Sequence, residues 1–107
     1  MDSRKSLRIV QKAISTFGFS LQIDKTIKEL SELLLAVIHY RADNTTLPNV
    51  VSEIVDVEIM LEQYKIMVSE ISGQNITPLL NKARESELER LDKVIKHKSD
   101  KRRRKFK

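Results

Sequence analysis

LQIDKTIKELSELLLAVIHYR (residues 21–41) and LPNVVSEIVDVEIMLEQYKIMVSEI (residues 47–71), separated by ADNTT (residues 42–46), decide the fold. In the first segment Ile23, Ile27, Leu30, Leu34, Val37 and Ile38 recur at the 3.6-residue period, so they form one apolar face of a helix. The stretch 42–46 is a loop by composition. Thr45 or Thr46 can cap the helix that follows, and Pro48 suits its first turn. The second segment carries Val50, Ile54, Val57, Leu61, Tyr64 and Val68 as its apolar stripe. Two helices of ~20 residues, or ~30 Å, joined by so short a loop form an antiparallel hairpin.

Outward from this hairpin the punctuation is sparse. Leu7, Val10, Ile14 and Phe17 mark an earlier helix from about Arg4 to Phe17, closed by Gly18. Ser72-Gly73-Gln74-Asn75 breaks the chain, and Thr77-Pro78 reads as the cap and first turn of a last helix ending near Lys96. No segment alternates with period 2. The expected fold is therefore all-α, with four helices, and the expected organisation is a helical domain over residues 1–97 followed by a basic, mobile tail over 98–107.

Composition removes most function classes. With no cysteine, disulfides, thiolate zinc sites and a cysteine nucleophile are excluded. Two glycines are too few for a phosphate-cradling loop, and two histidines argue against a His-dominated metal site. The longest apolar run, Leu33 to Ile38, is far short of the ~20 residues that span a bilayer. The first twenty residues lack an apolar stretch of signal-peptide length. Their Ser, Arg and Lys imitate a transit peptide but fit an amphipathic helix better, so a cytoplasmic protein with no membrane partner is expected. The formal charge of +5 is unevenly placed. Residues 96–107 hold eight basic residues and one acidic one, whereas the other 95 hold 12 and 14. The body is slightly acidic, and only the tail offers a polyanion such as nucleic acid a salt-sensitive hold.

The chemistry lies on the hairpin. Glu29 and Glu32 stand three residues apart on the first arm, on a face that also carries Lys25, Ala36 and His39 and lies roughly opposite the apolar stripe. Glu53 and Asp56 repeat the spacing on the second arm, close beside its stripe and next to Met60. Pairs at this spacing arise by chance in a chain this acidic. Glu89/Asp92 is a third, taken as a solvated helix face. The arrangement carries the information: the two hairpin pairs lie about 13 and about 10 residues from the turn at Asn44, within a few ångström of one level at ~1.5 Å per residue. Four carboxylates converging from facing helices want a hard cation, Mg²⁺ or Mn²⁺ in its place. The alternative is two exposed pairs bridging to Lys25, Lys28 and their neighbours.

Glu29-Leu-Ser-Glu32, a 20-residue gap and Glu53-Ile-Val-Asp56 resemble the Glu-x-x-Glu…Glu-x-x-Asp signature of the MazG-like all-α nucleoside triphosphate pyrophosphohydrolases. The surrounding residues 22–33 and 53–63, and the leader Lys12-Ala-Ile-Ser-Thr-Phe-Gly18, resemble small members of that family from phages and Firmicutes. The resemblance spans roughly residues 7–95. It implies a four-helix MazG-like bundle in a homodimer or homotetramer. It also implies hydrolysis of a (deoxy)nucleoside triphosphate to the monophosphate and pyrophosphate, with Mg²⁺ held by Glu29, Glu32, Glu53 and Asp56. Some relatives carry a tyrosine where this chain has Met60, which bears on base selectivity. Lys25, Lys28, Lys82 and Arg84 are candidates for neutralising phosphates. His39 reads as a half-exposed structural residue, and Met60 and Met67, aligned with Tyr64, as core or interface. Val51, Val55, Ile59 and Ile66, off the main stripe of their helix, also argue for pairing between subunits. The competing class is a non-catalytic helical interaction module, attached to nucleic acid through the tail.

Overall fold

The computed structural model describes residues 1–106, with side chains through Arg103. Four helices follow in order: α1 (Ser3–Phe17), α2 (Phe19–Arg41), α3 (Leu47–Ser72) and α4 (Thr77–Phe106). No strand occurs among the described residues. The chain divides after Gln74 into a unit holding α1–α3 and a second unit holding α4. The break at 73–76 is the last point among the described residues where the backbone leaves helical geometry.

Capping chemistry sets the helix ends. Asp2 accepts a hydrogen bond from the Lys5 amide at 2.8 Å and starts α1. Gly18, at φ 84°, turns the chain directly from α1 into α2 while its amide still bonds to the Ile14 carbonyl at 2.8 Å. Thr46 accepts from the Asn49 amide and starts α3, with Pro48 in the first turn. Gly73 ends α3 in the left-handed conformation, and the Gln74 amide reaches back to the Ser69 carbonyl at 3.2 Å. At the start of α4 the polar cap is Asn75, whose Oδ1 accepts from the Thr77 amide at 3.1 Å, and not the Thr77 side chain. Past Lys96 the helix does not stop. Ser99, Asp100 and the basic run up to Phe106 stay helical, since Lys and Arg are good helix formers and neither Gly nor Pro interrupts them.

Within residues 1–74, α2 and α3 form the antiparallel hairpin, and α1 packs on both. The core is small. Met67 is completely buried against Val10 and Ile14, with Phe19, Ile23 and Ile66 around them. The face that α2 turns inward differs from expectation. Its buried residues are Gln22, Thr26, Glu29 and Ala36, with Leu33 half-buried between the last two. These follow the alternating four- and three-residue steps of a coiled-coil seam. The apolar stripe is left outside: Ile27 is 60% and Leu34 62% exposed, and Leu30, Val37 and Ile38 are exposed with them. The seam is narrow and lined by small or polar side chains. Its buried polar groups are tolerated because Gln22 finds an amide partner across it and the Thr26 hydroxyl bonds to the Gln22 carbonyl at 2.8 Å.

Candidate metal centre

The seam positions the acidic residues. Glu29 is an inward position of α2, and only 8% of its surface is exposed. Glu53 and Asp56 precede the buried Val57 on α3 by four residues and by one, and are half-buried. One carboxylate oxygen from each of Glu29, Glu53 and Asp56 can be chosen such that all three lie within 4.8 Å of one another. Oxygens that close repel strongly when all are ionised. Glu29 Oε2 and Glu53 Oε2 are both buried and accept no hydrogen bond. A carboxylate oxygen withdrawn from water without a donor is costly, and a hard divalent cation is the partner that satisfies several at once. The donor set, all oxygen and all anionic, fits Mg²⁺ or Mn²⁺.

Electrostatics carries the same mark. The carboxyls of Glu29 and Glu53 are both held above the usual carboxylate range, first by burial and then by the negative charges of Glu32 and Asp56. Lys28 partly offsets this at Glu53. A carboxyl raised by folding binds its proton more tightly in the folded chain. It therefore favours the folded state at low pH and withdraws that contribution as pH rises through the raised value. Metal-free protein is expected to lose thermal stability from the ordinary carboxylate range towards neutrality, and Glu29→Gln to lose less. Saturating Mg²⁺ should stabilise the wild type most towards neutrality, where its ligands are ionised, and Glu29→Gln less. Melting curves across pH, with and without the ion, read this directly. A wild type and variant with parallel pH profiles would contradict it.

The other sequence-level candidates separate. Glu32 lies outside the three-oxygen set. Its side chain is 40% exposed and stands 3.9 Å from Lys28 Nζ, a solvent-facing pair one turn apart. Its charge still bears on both Glu29 and Glu53. Lys25 lines an open cavity of about 270 Å³ together with Glu29, Asp56, Ile59, Met60 and Gln63. Lys82 and Arg84 belong to α4 in the other unit and are exposed there. His39 is exposed near the end of α2. Met60 and Met67 are buried, as expected of core residues, and Met60 also faces the cavity. In the second unit the control pair Glu89/Asp92 is exposed, and Asp92 meets Lys96 at 3.0 Å as an ordinary surface ion pair.

Two residues escaped the sequence reading. Gln22 and Gln63, each 4% exposed, are bonded across the seam, Gln22 Nε2 donating to Gln63 Oε1 at 2.6 Å. Gln22 precedes Glu29 by seven residues and Gln63 follows Asp56 by seven, so both amides share the carboxylates' face two turns away, ~10 Å along the hairpin. That equal seven-residue step on both arms was the available signal. No protein-family model matches the chain, and no match was found among curated proteins or among solved structures.

Proposed function

We propose that the chain is a Mg²⁺-dependent pyrophosphohydrolase of (deoxy)nucleoside triphosphates, of the MazG-like kind its acidic motif resembles. The observation that carries this reading is the unpartnered buried Oε2 of Glu29, within a set of three converging carboxylates on the two arms of one hairpin. Glu29, Glu53 and Asp56 would hold the cation, with Mn²⁺ able to replace Mg²⁺. The bound ion supplies charge neutralisation for the triphosphate and Lewis-acid polarisation of the α-phosphoryl group. The chain's own part is to hold and orient. Glu32, half-buried beside the set and paired with Lys28, is the carboxylate outside it that can take the proton of an attacking water. Lys25, at the cavity, is placed to meet phosphate charge.

The exposed stripe of α2 supports assembly as a homodimer or homotetramer, since isolated chains rarely leave so contiguous an apolar face to water. Among the described residues no helix is long and apolar enough to cross a membrane, and the nucleotide pool of the cytoplasm is the proposed setting. The second reading, a non-catalytic module held to nucleic acid by the basic end of α4, is favoured only by the helix that runs through that basic stretch.

Attack at the α-phosphorus expels the outer two phosphates together. Incubation with common and damaged nucleoside triphosphates and Mg²⁺ is therefore expected to release pyrophosphate and the monophosphate, and chelation to stop it. Release of the diphosphate with orthophosphate would reject the mechanism. Absence of turnover with every nucleotide and both cations would leave the module reading in its place.

A further inference from the structure

The cavity beside the carboxylates has two chemically different ends. Glu29 and Asp56 lie at one and Gln63 at the other, two helical turns along α3, with Ile59 and Met60 between them. Lys25 is the only cation in the lining. A wall of two carboxylates, a thioether, an isoleucine and an amide is poorly suited to the two outer phosphates of a triphosphate, which would need several donors. It suits a sugar and base leading away from a phosphate held at the acidic end.

The amide at the far end is bonded at both its oxygen and its nitrogen. The carbonyl oxygen of Gln63 is taken up by Gln22 Nε2 at 2.6 Å. Its NH₂ group is thereby turned to the other side, where its acceptor is the Met60 Sδ at 3.4 Å. A thioether is a weak acceptor, and an amide NH₂ carries two donors. Gln63 therefore turns its donor towards Met60: exchanging both amides would keep the bond between them but set the Gln63 carbonyl oxygen against the Met60 sulfur. Both side chains are buried, so the bond between them is shielded from water.

We infer that this cavity receives the nucleoside end of the substrate and that Gln63 selects a keto base, with Gln22 as the residue that positions it. The inference rests on the pyrophosphohydrolase reading. The carbonyl at the far edge of uracil, thymine or guanine accepts from the Gln63 NH₂. The amino group at the same edge of cytosine or adenine meets it donor to donor and leaves both unpaired.

The test is the ratio of kcat/KM for dUTP over dCTP and for dGTP over dATP, each ratio measured on a single preparation with Mg²⁺, so that inactive protein cancels. Wild type is expected to favour the keto base by about tenfold, the worth of one hydrogen bond. Gln63→Met, similar in volume and without donors, should bring both ratios close to one. Gln22→Leu should do the same by a different route, since the freed amide can turn its carbonyl to the ligand and the amino bases gain. Calorimetric affinities for dUMP and dCMP give the same comparison without catalysis. Where Gln63→Met does not fold, Gln22→Leu and the wild-type ratios still decide. Wild-type ratios near one, a preference for amino bases, or ratios untouched by either substitution would overturn the assignment while leaving hydrolysis itself intact. Failure to turn over or bind any nucleotide would remove the functional reading and this inference with it.

Discussion

Glu53→Gln and Glu29→Gln are each expected to lower Mg²⁺-dependent turnover by 10²-fold or more, on the order of what the loss of a preorganised electrostatic contact costs an active site, without unfolding the protein. Both changes keep the side-chain shape and remove one negative charge. The carboxylates they replace are raised by burial and by their acidic neighbours, and each has an oxygen with no partner. Removing such a charge from the metal-free protein relieves repulsion, so the variants should melt no lower than the wild type, and higher near neutral pH. The opposite signs of the two effects are what identify a functional group: a residue kept for stability would lose both together. Glu89→Gln, on an exposed face of α4, should leave turnover and melting nearly unchanged. Full activity in either hairpin variant, measured by pyrophosphate release, would remove these carboxylates from the mechanism.

Met67→Ala is expected to give the largest loss of stability of any single truncation in residues 1–74. Met67 is the one side chain fully buried among the described residues, and it joins α3 to Val10 and Ile14 of α1. Deleting most of a buried methionine costs ~2–5 kcal/mol, the lost transfer energy plus that of the cavity left behind. Small domains have only ~5–15 kcal/mol in total, and here the apolar core has few other members to absorb the change. Urea unfolding of the metal-free protein should show a loss of unfolding free energy of that size. A shift below about 0.5 kcal/mol, the level of an ordinary surface substitution, would mean that α1 is not held as described.

The helices and the hairpin were legible in the sequence because their signals are local. Thr46, Pro48, Gly18 and Gly73 do the work of ending and starting helices wherever they stand, and they stand where the structure uses them. The convergence of Glu29 with Glu53 and Asp56 was legible because a short loop fixes the register of two long helices. The inward face of α2 was not. Periodicity points to Ile27, Leu30 and Leu34 as the buried side, whereas α2 meets α3 along Gln22, Thr26, Glu29 and Ala36. An apolar stripe says only that something covers it, not that the covering lies in the same chain. The polar seam, in turn, is hidden from a hydropathy reading because its members are satisfied by one another, a fact that belongs to pairs of residues and not to either one. The end of α4, expected near Lys96, lies further along the chain because helix propensity over Lys and Arg carries the helix on.

The matched spacing across the hairpin gives the two arms a common phase. Gln22 faces Gln63, and Glu29 stands with Asp56 as Glu32 stands with Glu53, at equal steps from one another on both helices. One residue inserted between Gln22 and Glu29 would rotate everything beyond it by about 100° and lift it by ~1.5 Å, separating the amide pair from the carboxylates on that arm alone. The same residue added within 42–46 would be taken up by the loop, and both arms would keep their faces. Lineages that lengthen or shorten this hairpin can therefore do so freely at its tip, but within the arms only in paired increments of a whole seven residues. The molecule is open to drift at one end and quantised along its length.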